Sequence, residues 1–577
     1  MNLKPYFKSL SVVALTIFSG SQVQGGVGAD KAWTTYEAET MRTSGTVVGP
    51  NYAPHTIETE SSAQQYVKLG EQGEFIEFDA TVDANALIVR FSLPDAPKGG
   101  GTKSELTVSV NDKPARTVEL SSRNAWLYGN YPFSNDPALG KPRNFYDELS
   151  VKGLAIRSGD VVRLQKTDDD GIVCSIDFAD LEQVPEPLLA PVNSLSVLDF
   201  GATGDGESDD TEALRDCMAA ALEKGSTIWV PAGEYKLTGD IILPSNVTIQ
   251  GAGMWHTTFV GDEALYSQAD RRVRFKLTGS EIHLADFAIM GALNYRNDQE
   301  ANDGIIGGVC SDSTIKRIWI EHTKVGAWIY NGTNLLIEGC RFRNMLADGV
   351  NFCVGTSGSV VDNCSARGTG DDCFAIWPAA SDQGYVDEHV VPGNNVIRRS
   401  TGQLTFLANG ASVYGGANNR VEDCEFIDIG TGCGILISTT FPTSDDSRGI
   451  DNNFSGTTVV ENISLLRCGG YDHSWAWRGS FQICMDRKSI SGLSVSKVEI
   501  RDSFSDGLTV VGPGSKNGQG TLSNTRLEEL VVTGVGLGTK KSHDVFVRKD
   551  AMGGLTLVDC ELEDLKNASK HFTVEQE

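Results

Sequence analysis

Three acids in this sequence have the type and spacing for chemistry. Asp348 stands in Leu346-Ala347-Asp348-Gly349-Val350-Asn351-Phe352. Asp371 and Asp372 stand in Thr369-Gly370-Asp371-Asp372-Cys373-Phe374-Ala375-Ile376-Trp377. Each piece is an acid at a turn followed by a short apolar run. Asp348 and Asp371 are 23 residues apart, about one coil of a parallel β-solenoid, whose repeats fall at roughly 20–50 residues. Neighbouring rungs lie ~4.8 Å apart. Acids at one corner of successive coils therefore become neighbours, with Asp372 beside them. Carboxylates this close repel, so at least one pKa rises. A proton donor held near a carboxylate base is what hydrolysis of a glycosidic bond requires. Consecutive strand side chains point opposite ways, so Asp371 and Asp372 share a groove only if the chain bends, which Gly370 permits.

Such acids need a scaffold that repeats. From about residue 240 short apolar strands follow one another with polar turns, among them Ile315–Ile320, Leu335–Ile337, Val360–Val361, Val396–Ile397, Val421–Phe426 and Val459–Leu465. An Asp corner recurs at Asp303, Asp348, Asp371-Asp372 and Asp506. Inserts near 262–275, 379–394 and 440–456 interrupt the coils, and inserts on a solenoid tend to gather on one face and build a groove. Cys340, Cys364, Cys424, Cys468 and Cys560 each follow an apolar strand, which fits a stack of buried thiols in one corner and leaves room for one or two disulfides. Upstream, Ser208 to Asp210 offer N-caps, Ala213, Leu214, Cys217, Met218, Ala221 and Leu222 form one apolar face, and Gly225 supplies a stop. A solenoid has an open end, and this helix suits its cap.

Residues 30–184 differ. Strand-like runs at Tyr66–Leu69, Phe75–Phe78, Ala86–Leu93, Glu105–Val110, Val161–Gln165 and Cys174–Leu181 are separated by Gly, Pro, Asn and Asp turns, the pattern of an antiparallel β-sandwich. Aromatics crowd one stretch, Trp126, Tyr128, Tyr131, Phe133, Phe145 and Tyr146. They suit pinning a long loop to the sandwich or the next domain, with sugar stacking as the alternative. Pro-rich residues 185–194 form a linker. The expected fold is all-β: an N-terminal antiparallel β-sandwich, the linker, and a right-handed parallel β-helix over 195–577 with an N-terminal capping helix.

Composition bounds partners and compartment. The 577 residues carry a formal charge of −27, which disfavours nucleic acid and anionic membrane. Lys4 and Lys8 precede the apolar run Leu10–Phe18, and small residues follow up to Val27-Gly28-Ala29. This is the pattern of a signal peptide over 1–29, with cleavage before Asp30 or near Gly25, and of a secreted protein, extracellular or periplasmic. No CxxC pair or His-rich spacing points to a metal, so no cofactor is expected, although Asp-Gly turns also suit structural Ca²⁺.

The opening from Val197 to Leu214 resembles that of pectin-lyase-like right-handed β-helices. At the acid pair the chain is similar to glycoside hydrolase family 87, the bacterial α-1,3-glucanases and mycodextranases. The resemblance runs through Phe91-Ser-Leu-Pro-Asp-Ala-Pro, Trp126-Leu-Tyr-Gly-Asn-Tyr-Pro-Phe, Trp319-Ile-Glu-His322-Thr-Lys324, both acid motifs and Asn409-Gly-Ala-Ser-Val-Tyr414. It implies an α-glucan (polysaccharide) substrate, an inverting, endo-acting hydrolase and Asp348, Asp371 and Asp372 as its catalytic acids. By analogy with polygalacturonases, Asp371 is the acid and Asp348 and Asp372 hold the water. Trp377, Trp328, Tyr414, Trp475 and Trp477 are candidate sugar platforms, and His322 and Lys324 candidate groove donors. Family members commonly carry a further Asp after the His-Thr-Lys motif where this chain has Trp328-Ile329-Tyr330-Asn331, which bears on linkage preference. A monomer is expected. The alternatives are a pectinase or polysaccharide lyase on the same fold, against which no basic cluster is visible beside the acids, and a non-catalytic glycan-binding β-helix.

Overall fold

The computed structural model describes residues 27–380, 392–473, 476–513 and 520–577. The expected signal segment therefore lies almost wholly outside the described residues. The N-terminal part is a sandwich of a six-stranded and a five-stranded sheet. The first includes Ala84–Ser92, Asp147–Ile156 and Cys174–Glu182, and the second Phe75–Asp79, Lys103–Val110, Lys113–Ser121 and Val161–Lys166. All strand pairs are antiparallel. Alternating residues such as Ile76, Phe78, Leu87, Val89, Leu106, Val108, Val162 and Leu164 fill the space between the sheets.

The rest is a parallel β-helix. Each coil of its middle supplies two strands to a 20-stranded sheet and one to a 12-stranded sheet. The coil of Asp348 gives Leu336–Glu338, Arg341–Arg343 and Val350–Cys353, and the next gives Val360–Asp362, Ser365–Arg367 and Phe374–Trp377. Their register is direct, with Val350 beside Phe374 and Phe352 beside Ile376. Inward positions are apolar and buried, and each such side chain contributes ~1.5–3 kcal/mol. The five corner cysteines are stacked thiols: Cys340, Cys364, Cys424, Cys468 and Cys560 each point Sγ at a carbonyl of the coil before. All twelve cysteines are free.

The helix Thr211–Lys224 is the only α-helix among the described residues and closes the open end. It buries Leu214, Cys217 and Ala221 and stops at Gly225 with φ 62°, but Leu222 is 39% exposed and lies off the packed face. Asp210 does not cap it; that carboxylate accepts from the N–H groups of Thr203 and Gly204 instead.

The two units meet through a buried, charged face. Arg343 and Arg367 occupy one register column on successive coils, with Arg341 beside them. Arg341 forms a two-pronged pair with Glu182, and Arg367 with Glu148 and Asp180. Trp33 stacks on Arg341 and Arg343 at 4.9 and 5.5 Å. Buried pairs of this kind add little net stability but penalise the loss of either partner.

Candidate active site

The 12-stranded sheet carries a groove of roughly 520 Å³ on its outer face. Lys276, Ile306, Trp328 and Asn351 are register partners on four successive coils and line its floor. At ~4.8 Å per coil the row spans about 14 Å, longer than one sugar ring.

Asp348, Asp371 and Asp372 converge beside this row, with one carboxylate oxygen of each within 4.8 Å of the others. Coil stacking does this: the N–H of Gly349 donates to Asp372 O at 3.0 Å, and that of Gly370 to Met345 O at 2.8 Å. Gly370 is required by crowding, because a Cβ there would meet Phe406 Cζ at 2.3 Å and Leu346 O at 2.4 Å. The chain bends at Gly370 and Asp371, so both acids of the pair reach the groove. Asp348 and Asp372 are buried, whereas the Asp371 side chain is 26% exposed.

Burial, then Asp371 and Asp372, push the Asp348 carboxyl well above its usual range. Burial and Asp371 push Asp372 up to about 7, against donors that hold it down. Those donors are Asn409, through its backbone N–H at 3.1 Å and its amide at 2.8 Å, and the Tyr414 hydroxyl at 2.9 Å. Asn351 reaches Asp348 at 3.5 Å. Arg296 donates to Asp371 Oδ2 at 2.7 Å. Protonation belongs to the trio as a unit. The other Asp corners are spoken for: Asp303 accepts from Tyr266 and the Lys324 N–H, and Asp506 from the His543 N–H.

The expected platforms divide. Trp328 and Trp377 line the groove, their rings 6.3 Å apart and near perpendicular. Tyr414 also lines it, but as a donor to Asp372. Trp477 is not among the lining residues; it packs edge-on against Tyr471 at 5.3 Å. Trp475 lies outside the described residues. Lys324 lines the floor, its ammonium on the Asn297 and Glu300 carbonyls at 3.1 and 2.5 Å, and burial lowers its pKa to about 8.

His322 is not a groove residue. It takes a positive φ of 54° at a corner and turns to the sandwich, where its ring nitrogens meet Asp147 at 2.8 Å and Asn124 at 3.1 Å. The view that no basic cluster stands near the acids is also corrected. Arg274, Lys276, Arg296 and Lys324 all line the groove. Arg274 is held by Asp240 and Arg296 by Asp298 and Asp371.

Sequence reading missed Arg296, Phe441 and Asn351, and gave Asn409 no role in the site. Phe441 comes from the 440–456 insert and lies 5.7 Å from Trp377 and 5.1 Å from Tyr414. Of the crowded aromatics, Phe133, Phe145 and Tyr146 are buried and Trp126 and Tyr128 bond to Leu93 and Asp95. Only Tyr131 reaches the groove.

A β-helix with carboxyls gathered in an aromatic-walled groove defines a polysaccharide-active enzyme of the parallel β-helix class. Family profiles described as α-1,3-glucanase catalytic domains D1 and D2 match residues 30–184 and 208–535. The chain belongs to glycoside hydrolase family 87 and is a glycoside hydrolase. It is similar to the catalytic unit of a thermostable family 87 α-1,3-glucanase from Streptomyces thermodiastaticus, at 28% identity and TM-score 0.79 over 95% of this chain and 96% of the other. The Agl-KA catalytic domain superposes with TM-score 0.85 at 24% identity, covering 97% and 100%. A family 87 α-1,3-glucanase in complex with nigerose gives 0.78 at 24%, covering 95% and 99%. At 24% these two show the fold alone. Alginate lyase 7 of Azotobacter vinelandii is 44% identical over 70 residues, 11% of this chain, and the chain spans 8% of that lyase's length.

Proposed function

We propose that this protein is a secreted endo-hydrolase of α-1,3-glucosidic bonds, in α-1,3-glucan or nigeran, acting with inversion through Asp348, Asp371 and Asp372. The observation that carries this reading is the convergence of the three carboxyls within 4.8 Å in a groove walled by Trp328 and Trp377. Asp371, the member that reaches the groove surface, protonates the leaving glycosidic oxygen. Asp348 and Asp372 hold a water between them and take its proton as it attacks the anomeric carbon. The trio is tighter than the ~6.5–9.5 Å between the two carboxyls of most inverting enzymes; with three carboxyls, water held by a buried pair supports inversion without that gap. A floor that runs over four coils suits a polymer rather than a chain end. The family profiles described as α-1,3-glucanase catalytic domains and the α-1,3-glucanase at 28% identity support the α-1,3 linkage. Export rests on the leader pattern of residues 1–29 and is tested by fractionation.

Reducing-sugar release from α-1,3-glucan and nigeran, lost in Asp371→Asn, tests the reaction, and the anomeric proton signal of the first product tests inversion. If neither polymer is cut, the reading falls. A lyase is the second reading, favoured by the groove cations. It predicts unsaturated products from polygalacturonate or alginate. Among the described residues, Lys276 alone of the four is not held by an acid or a carbonyl, which makes a uronate site thin.

A further inference from the structure

We infer that Arg296 is a positioning residue for Asp371, and that Tyr131 makes the sandwich a working part of the active site. The inference rests on the reading of the trio given above. Arg296 lies in the loop between the strands His283–Met290 and Gly304–Ser311 and is 6% exposed. Its guanidinium reaches five acceptors. Nε donates to Asp298 Oδ1 at 2.9 Å. Nη1 donates to the carbonyls of Gly370 at 2.6 Å and Leu346 at 3.3 Å. Nη2 donates to Asp371 Oδ2 at 2.7 Å and to the Tyr131 hydroxyl at 2.8 Å.

Two of these acceptors are backbone carbonyls at the same corner of successive coils. One lies immediately before Asp371 and the other two residues before Asp348. A single planar group thus ties the turn that presents one acid to the turn that presents the other, and holds the carboxylate of Asp371 as well. A lysine ammonium offers one point of charge and no fork, so it cannot reproduce that span. Asp371 is the most exposed of the three acids, and orientation of a reacting group is worth most where it is otherwise free to rotate. A cation beside an acid that gives up its proton also stabilises the carboxylate left behind.

Tyr131 extends the clamp into the other domain. Its ring lies under the guanidinium at 4.7 Å, and its hydroxyl donates to Asp298. The backbone N–H of Arg296 donates to Phe133 O at 3.0 Å, and Phe133 is buried in the β-helix core cluster. The sandwich loop is therefore pinned at Phe133 and delivers Tyr131 to the groove. The charged and titratable groups facing Arg296 and Tyr131 are Asp298, Asp371, Asp348, Lys324 and His473. Arg296 opposes the rise that burial imposes on Asp348.

The test compares wild type, Tyr131→Phe, Arg296→Gln and Asp371→Asn on α-1,3-glucan. Tyr131→Phe removes one hydroxyl from a residue that is 45% exposed, so the fold is kept. It is expected to lower kcat about tenfold with KM within about twofold, the signature of lost positioning. Arg296→Gln is expected to lower kcat about a hundredfold or more and to move the acidic limb of the pH profile upward, because the charge that opposes the rise of Asp348 is gone. If Tyr131→Phe keeps wild-type kcat, or folded Arg296→Gln keeps the wild-type profile, the inference is overturned. Should Arg296→Gln not fold, Tyr131→Phe decides alone. Asp371→Asn separates the two levels. If it stays active, the trio reading itself fails. If it is inactive while the other two behave as wild type, only the clamp fails.

Discussion

Tyr414 and Asp372 sit on successive coils, and the hydroxyl of the first donates to Oδ2 of the second at 2.9 Å. The contact turns an aromatic that looks like a sugar platform into one of the groups that keep Asp372 ionisable. Burial and Asp371 drive that carboxyl up to about 7, and the Asn409 and Tyr414 bonds pull against them. Tyr414→Phe removes one of the opposing bonds, so the pKa rises further. If Asp372 must be ionised to take a proton from water, the acidic limb of kcat/KM moves to higher pH, by up to about one unit. A profile that superimposes on wild type would show that Asp372 does not gate the reaction.

The same burial has a cost in stability. Burial and then Asp371 push the Asp372 carboxyl from its ordinary value near 3.8 up to about 7 in the folded protein. A carboxyl raised on folding favours the folded state most below its unfolded pKa, and that contribution is lost as pH rises through the folded value. Asp372→Asn removes the charge that must be buried at neutral pH and retains the shape. The variant should be inactive, yet more stable than wild type at pH 8 by roughly 1–3 kcal/mol, with the gap closing toward pH 4. Thermal melts at the two values decide this. An equal gap at both would remove ionisation as the cause.

Asp348, Asp371 and Asp372 were legible because the signal is local: two turn motifs one coil apart, whose stacking follows from the repeat. The same holds for the corner cysteines and the capping helix. Arg296 and Tyr131 were not, because their partners lie 75 and 165 residues away, and a guanidinium that clamps two turns leaves no pattern of its own. The 291–303 loop that carries Arg296 did not register as an insert. His322 and Lys324 show the limit most sharply. They stand two residues apart in one motif, but the positive φ at His322 sends it to the sandwich while Lys324 goes under the groove.

His322 is accordingly expected to matter for the domain interface and not for substrate. Burial alone would lower its pKa, but Asp147 and Glu321 overcome this and raise it to about 9. Its stabilising contribution is therefore fully present below about 6.5 and is lost as pH rises through 9. His322→Gln should cost on the order of 3 kcal/mol near pH 6 and little near pH 10, with KM within about twofold of wild type. A large rise in KM with unchanged melting would return His322 to the groove.

The end of the expected leader, Gly28 and Ala29, is docked on the β-helix together with Lys31, and this sets a last prediction. Gly28 is buried; its N–H donates to Asp423 O at 2.8 Å, and Ala29 N–H donates to Thr401 Oγ1 at 2.9 Å. Lys31 pairs with Glu425 at 3.1 Å. Gly28 has φ 92°, and a Cβ there would lie 2.7 Å from Thr401 Oγ1 and 3.0 Å from Glu425 Cβ. A side chain at this position is both strained and crowded, so Gly28→Val should cost about 1–3 kcal/mol. Cleavage before Asp30 would discard Val27 to Ala29, whereas cleavage near Gly25 would keep them. A chain starting at Val27 is thus expected to melt above one starting at Asp30, and, if the protein is exported as proposed, its N-terminal sequence to begin at or before Val27. Equal melting of the two chains would show that the docked segment carries no stability, and either cleavage site would then serve.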